Sequence, residues 1–174
     1  MKKTLLIALC SIVVAFAACK KPVEPTPDTV DHTPTYVGDY LGQFDFTITS
    51  VNNQAQTLSF TIDNIGMNIA KGTDFNAITA TVTVDNETRQ TSGKATAEKA
   101  DFESINLIID KPDQNYYFDL NLKMEGTKAE SDTILNIVGT FSGSGRATIL
   151  TPQGAFEQVF NEVSGTLSGN LAKQ

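Results

Sequence analysis

The chain has 174 residues, of which 40% are apolar, 8% aromatic and 19% charged, a length that fits one domain with appendages. With 13 basic against 20 acidic side chains the formal charge is −7, which excludes nucleic acid as a partner, because a phosphate-binding face needs an excess of Lys and Arg. One His and two Cys leave little material for catalysis or metal ligation.

The chain opens Met1-Lys2-Lys3-Thr4 and continues in an apolar run from Leu5 to Phe16. A basic start followed by about a dozen apolar residues matches a secretory signal, whereas a membrane-spanning helix needs roughly 20. The run ends Phe16-Ala17-Ala18-Cys19, which resembles the lipobox of bacterial lipoproteins, with Phe16 where Leu is usual. The resemblance implies that residues 1–18 are a lipoprotein signal peptide and that Cys19 is acylated. The alternative is ordinary signal-peptidase cleavage at Ala-x-Ala with Cys19 incidental. Cys10 leaves with the signal in either case. Loss of Lys2 and Lys3 with no acid moves the charge from −7 to −9. Lys20, rather than Asp, follows Cys19; by resemblance to Gram-negative lipoprotein sorting this implies an outer-membrane lipoprotein, held to the membrane by its acyl anchor.

Residues 19–35 hold Cys19 and a Pro/Thr-rich stretch containing Pro22, Pro25, Pro27 and Pro34. Such a composition cannot bury a core and favours an extended chain, so it is expected to be a tether. Asp28-Thr29-Val30 resembles the Asp-Thr-aliphatic acceptor of an O-glycosylation system of exported proteins in one gut bacterial phylum, which makes Thr29 a candidate for O-glycosylation. Asp132-Thr133-Ile134 matches the same pattern.

From residue 36 to 174 the pattern has period two, expected of strands with one buried and one wet face. Strands are predicted over 40–49, 57–63, 78–85, 88–98, 102–109, 116–125, 133–142, 146–151, 157–160 and 163–171. Asn52-Asn53, Asp85-Asn86, Lys111-Pro112-Asp113 and Pro152-Gln153-Gly154 supply turn chemistry between them. Ala95–Glu103 is a weak helical candidate. Gly139, Gly143, Gly145, Gly165 and Gly169 are expected where a sheet coils or backbones approach closely. About eight to ten short antiparallel strands must curl or split to hide their edges. The fold class is therefore all-β, an antiparallel up-and-down β-barrel, with a two-sheet β-sandwich as the alternative. A membrane-spanning barrel fits less well: there is no Trp, and only four Tyr are present for two interfacial girdles.

Tyr36-Val37-Gly38-Asp39-Tyr40-Leu41-Gly42, followed by Phe44 and Phe46, resembles calycin-like, lipocalin-type lipoproteins common in gut Gram-negative bacteria, with Gly38-Asp39-Tyr40 in place of the lipocalin Gly-x-Trp. The resemblance is to calycins in the broad sense, since the last predicted strand lacks the Arg that closes a lipocalin barrel. It implies a barrel over 36–174 whose lumen holds a small apolar ligand. Tyr40, Phe44, Phe46, Phe60, Tyr116, Phe118 and Phe141 are the candidate lining, and the same rings would equally serve to fill a core.

The domain is expected to be non-catalytic and to need no cofactor or metal. Its one His, His32, falls in the tether, which excludes Ser–His–Asp and Cys–His devices and the usual zinc or copper sites. Asp45, Asp63, Asp119 and Glu125 are scattered singly on polar faces, where solvation explains them better than a hydrolytic pair. Asp74-Phe75-Asn76, Asp85-Asn86-Glu87 and Asp113-Gln114-Asn115 are oxygen-rich but lack a calcium-loop pattern, and turns explain them. Two functions from different classes remain: a lipid-anchored barrel with a small apolar ligand inside, or a cell-surface interaction protein binding a protein or glycan through its loops or outer face.

Overall fold

The computed structural model describes residues 29–85, 87–112, 115–128, 132–152 and 154–174. Its compact unit runs from Asp31 to Gln174, ahead of the boundary expected at 36. A short helix, α1 (Thr33–Tyr36), accounts for the difference, with Pro34 in its first turn where a missing N–H costs nothing. Thr33 and Tyr36 are fully buried, the His32 N–H donates to Asn76 Oδ1 at 2.7 Å, and Asp31 pairs with Lys71. A proline-rich composition hides this docking, because two buried side chains suffice for it.

The strands are β1 (Gly38–Val51), β2 (Gln54–Lys71), β3 (Ala77–Val84), β4 (Glu87–Ala95), β5 (Ala100–Phe102), β6 (Ile105–Lys111), β7 (Tyr116–Thr127), β8 (Ile134–Thr151) and β9 (Gly154–Lys173). They pair antiparallel in the order β5-β4-β3-β2-β1-β9-β8-β7-β6, and β5 also pairs with β7. β5 and β6 lie end to end along one edge of β7, with Ala100 opposite Gly126 and Ile105 opposite Leu122. Hydrogen bonding therefore returns on itself, and the sheet is a barrel-like ring, in agreement with the expected all-β class. α1 sits at one end of it, against Lys71 and Asn76. The β1–β2, β3–β4, β6–β7 and β8–β9 connections lie at the other.

Two bulges explain where the predicted strands stop short. Phe44 opposes Ile62 but Gly42 opposes Ile65, so β2 carries an extra residue there, with Asn64 at φ 58°. Ile62 points inward before the bulge, and Ile65, Met67 and Ile69 after it. A bulge switches which parity faces the core, so the alternation seen over 57–63 breaks although the strand continues to Lys71. On β9, Gly143 opposes Val163 but Gly145 opposes Phe160. The segments 157–160 and 163–171 are accordingly one strand, and 133–142 and 146–151 are another. The helical candidate Ala95–Glu103 is instead the end of β4, a turn and strand β5; in the turn the Thr96 N–H donates to the Lys99 carbonyl at 2.8 Å and Thr96 Oγ1 accepts from the Lys99 N–H at 3.1 Å.

The late glycines are sites of close approach. A Cβ at Gly143 would lie 2.0 Å from the Asp119 carbonyl oxygen, and one at Gly165 2.0 Å from that of Thr47. Phe141 opposes Gly165, Phe118 opposes Gly145 and Phe44 opposes Gly169. In each pair a ring atom lies 2.3–2.7 Å from where the glycine's Cβ would stand. Rings thus fill the space that the glycines leave, which keeps a strongly coiled sheet packed.

Candidate functional site

The seven predicted lining residues all lie inside the ring, but they do not form one site. Tyr40 sits at the α1 end: its hydroxyl donates to the Tyr36 carbonyl at 2.8 Å, and the Lys128 ammonium stands 5.4 Å from its ring centroid. Lys128 Nζ also donates to the Thr35 carbonyl at 3.2 Å. Burial first, and then the neighbouring Lys173, hold the Lys128 pKa below its usual value, with Asp132 opposing. Burial raises the Tyr36 and Tyr40 hydroxyls. The Tyr36 hydroxyl is buried without a hydrogen-bond partner among the described residues. Lys128 thus supplies a cation over the Tyr40 ring, from the β7–β8 connection rather than from the last strand.

The other rings meet one another toward the far end. Phe46 stacks on Phe60 with centroids 4.9 Å apart and planes 3° from parallel. Phe60 stacks on Phe118 at 5.2 Å and 5°, and Phe118 on Phe160 at 6.2 Å and 11°. Phe141 meets Phe46 edge-on at 5.5 Å, and Tyr116 tilts against Phe60 at 5.7 Å. β2 and β7 stand on opposite walls of the ring, so the Phe60–Phe118 contact spans the lumen. Phe160 completes the stack; it was missed because the short predicted strand 157–160 gave no inward parity.

A cleft on the outer face has a different character. Asp110, Tyr117, Arg146 and Val159 are neighbours in one cross-strand row over β6, β7, β8 and β9. Two adjoining depressions of about 340 Å³ and 740 Å³ share Tyr117, Arg146 and Glu157. The Arg146 guanidinium lies 5.4 Å from the Tyr117 ring centroid and 4.0 Å from the Glu157 carboxylate. No side-chain hydrogen bond of Arg146 is present among the described residues, and the side chain is 61% exposed. Val159, 55% exposed, adds an apolar surface beside it. The Thr148 N–H donates to the Asn115 carbonyl at 2.8 Å, which pins the β8–β9 hairpin to the β6–β7 turn. Of the seven predicted lining residues, Tyr116 is the one that borders these depressions. The cleft residues were not singled out from the sequence, since scattered polar side chains on a wet face carry no periodic signal.

Thr29 is exposed, and Cys19 lies outside the described residues. Asn76, Asp85 and Asn115 adopt φ of 59°, 51° and 59°, the left-handed turn conformation that Asn and Asp tolerate; Asn86, Asp113 and Gln114 lie outside the described residues. Among the described residues no three His, Cys, Asp or Glu side chains gather to hold a metal ion, and no helix is long and apolar enough to cross a membrane. No protein-family model matches the chain, and no curated protein matches it.

Proposed function

We propose that this protein is an envelope lipoprotein whose barrel is a non-catalytic scaffold and whose outer face, at the Tyr117–Arg146 cleft, binds a polar partner, best fitted by a saccharide. Cleavage before Cys19 and acylation of its thiol would anchor the chain. The folded unit begins at the α1 end, whereas the cleft borders the β6–β7 turn at the opposite end.

The observation that carries the reading is Arg146. Its guanidinium stands 5.4 Å from the Tyr117 ring centroid on a side chain that is 61% exposed, which leaves its donors available. Asp110 and Glu157 offer acceptors within the same cleft, and Tyr117 and Val159 offer apolar surface. A sugar presents just this mixture, hydroxyls that donate and accept beside a C–H face. A purely anionic ligand would meet Asp110 and Glu157, and a purely apolar one would desolvate all three charges.

The reading of a small apolar ligand in the lumen has less support, because the rings that would line the lumen touch one another across it. The test is a binding screen of the full chain against immobilised neutral and acidic polysaccharides, repeated with Arg146→Ala and Tyr117→Ala. Binding to a defined saccharide that both variants lose supports the reading. Binding that both variants retain, or none to any polysaccharide, contradicts it.

A further inference from the structure

We infer that the glycan of the Tyr117–Arg146 cleft is neutral and linear and lies with consecutive units on either side of Arg146, which rests on the proposal that this cleft takes a saccharide. The depressions of about 340 Å³ and 740 Å³ meet at a shared wall of Tyr117, Arg146 and Glu157. Each by itself reaches the range of about 300–1,000 Å³ usual for a small-molecule site. Arg146 therefore stands between two places for a ligand rather than at the end of one.

The two sides repeat one composition. Pro112 and Tyr116 line the first depression only, and Val159 and Phe160 the second only, so each has its own apolar surface. Beside that surface stand two exposed polar side chains, Asp110 and Asn115 in the first and Ser144 and Asn161 in the second. Among the described residues none of these four makes a side-chain hydrogen bond. Elsewhere on the outer face such groups pair, as Thr61 does with Asp45 at 2.7 Å and Asn106 with Asp119 at 2.6 Å. A glycan repeats the same mixture from ring to ring, hydroxyls beside a C–H face, so a repeating ligand meets a repeating surface.

Strand β8 sets the direction and length. Thr148 lines the first depression and Ser144 the second, with Arg146 between them on the same face. Four residues of extended strand span about 14 Å, more than a single sugar ring covers. The charge follows from the lining. Asp110 and Glu157 outnumber Arg146, the one base among the described lining residues. A chain of uronic acids would add a carboxylate with every unit and be repelled, whereas a neutral chain adds none.

The test titrates the full chain calorimetrically with oligosaccharides of one to six units from partial hydrolysis of starch, cellulose, xylan and galactomannan, with a galacturonan ladder as the acidic comparison. In the series that binds, the disaccharide or trisaccharide is expected to bind at least about tenfold more tightly than the monosaccharide. Ser144→Leu, which fills the second depression, is expected to cut that gain to less than about twofold, and Asn161→Ala to lower it. Both positions are exposed, and circular dichroism is expected to show both variants folded. A monosaccharide bound as tightly as the longer chains, a length gain that survives both variants, or tighter binding of the galacturonan ladder would overturn the inference and leave the saccharide cleft standing. Binding of no ladder at all would overturn the cleft reading itself, and the two-sided arrangement with it.

Discussion

Phe60 on β2 and Phe118 on β7 lie face to face, centroids 5.2 Å apart and planes within 5° of parallel, although their strands stand on opposite walls. The overhang of the β1–β2 hairpin thus bends across the far end and closes the interior with its own side chain. Stacking of this kind adds to the ordinary gain from burying rings.

The first prediction concerns that contact. Phe118 is 6% exposed, so Phe118→Ala is expected to cost about 3–5 kcal/mol in urea unfolding. A double-mutant cycle with Phe60→Ala is expected to give a coupling of about 0.5–1.5 kcal/mol. Strict additivity would mean that the two rings do not support each other.

The second concerns glycines of opposite sign. At Gly143 a methyl group would meet the Asp119 carbonyl at 2.0 Å, and Gly143→Ala is expected to destabilise by about 3 kcal/mol or prevent folding. At Gly66 the nearest atom is Thr83 Cβ at 3.6 Å, an ordinary contact. Gly66→Ala is expected to stabilise by roughly 0.5–1 kcal/mol, since alanine has less backbone freedom to lose. Thermal melting distinguishes the two directly.

The third concerns the seam that closes the ring. β5 and β7 share only the pairs Ala100–Gly126 and Asp101–Glu125, and the second sets two carboxylates side by side. Lys99 lies 2.9 Å from each of them, which raises its own pKa. A raised lysine contributes below its unfolded value of 10.5 and is lost only as pH climbs past the folded one, so at neutral pH the clamp is fully in place. Lys99→Met is expected to speed amide exchange over 100–102 at neutral pH while leaving β1, β8 and β9 protected. Unchanged exchange at the seam would show that the clamp is dispensable.

Much of this was legible in the sequence. The alternation of Phe44, Phe46 and Ile48, and of Phe118, Leu120 and Leu122, gave inward faces that the structure keeps, and Asn52-Asn53 forms the two-residue turn its chemistry suggests, at φ of 48° and 62°. Asn64 and the Asn161-Glu162 step hid the true length of β2 and β9, because a bulge moves the apolar residues from one parity to the other without ending the strand. α1 was illegible for another reason: its anchor is a buried Thr33, a buried Tyr36 and a hydrogen bond from the His32 N–H to Asn76, distant in sequence and supplied by the finished barrel. The cleft row of Asp110, Tyr117, Arg146 and Val159 exists only once four strands are in register, so no stretch of chain announces it.

The fourth prediction tests the docking of α1. Hydrogen bonds from Lys71 and then from Thr33 lower the Asp31 pKa from 3.8 to about 2. A depressed carboxylate stabilises the fold above its unfolded pKa, and the contribution is lost as pH falls through 3.8 toward about 2. The melting temperature of the parent protein is expected to fall more steeply across that interval than that of Asp31→Asn. Parallel curves would mean that Asp31 does not hold α1 to the barrel.

The claim on which the functional reading depends is that the interior is filled by its own rings, leaving the outer face to meet a partner. Titration with an apolar fluorescent probe such as phenylnaphthylamine tests this most directly, comparing the parent protein with the Phe60→Ala/Phe118→Ala pair. The parent is expected to show no saturable enhancement, and the double variant to acquire it as the lumen opens. Stoichiometric binding of the probe by the parent, abolished in the double variant, would contradict the account and place the ligand inside.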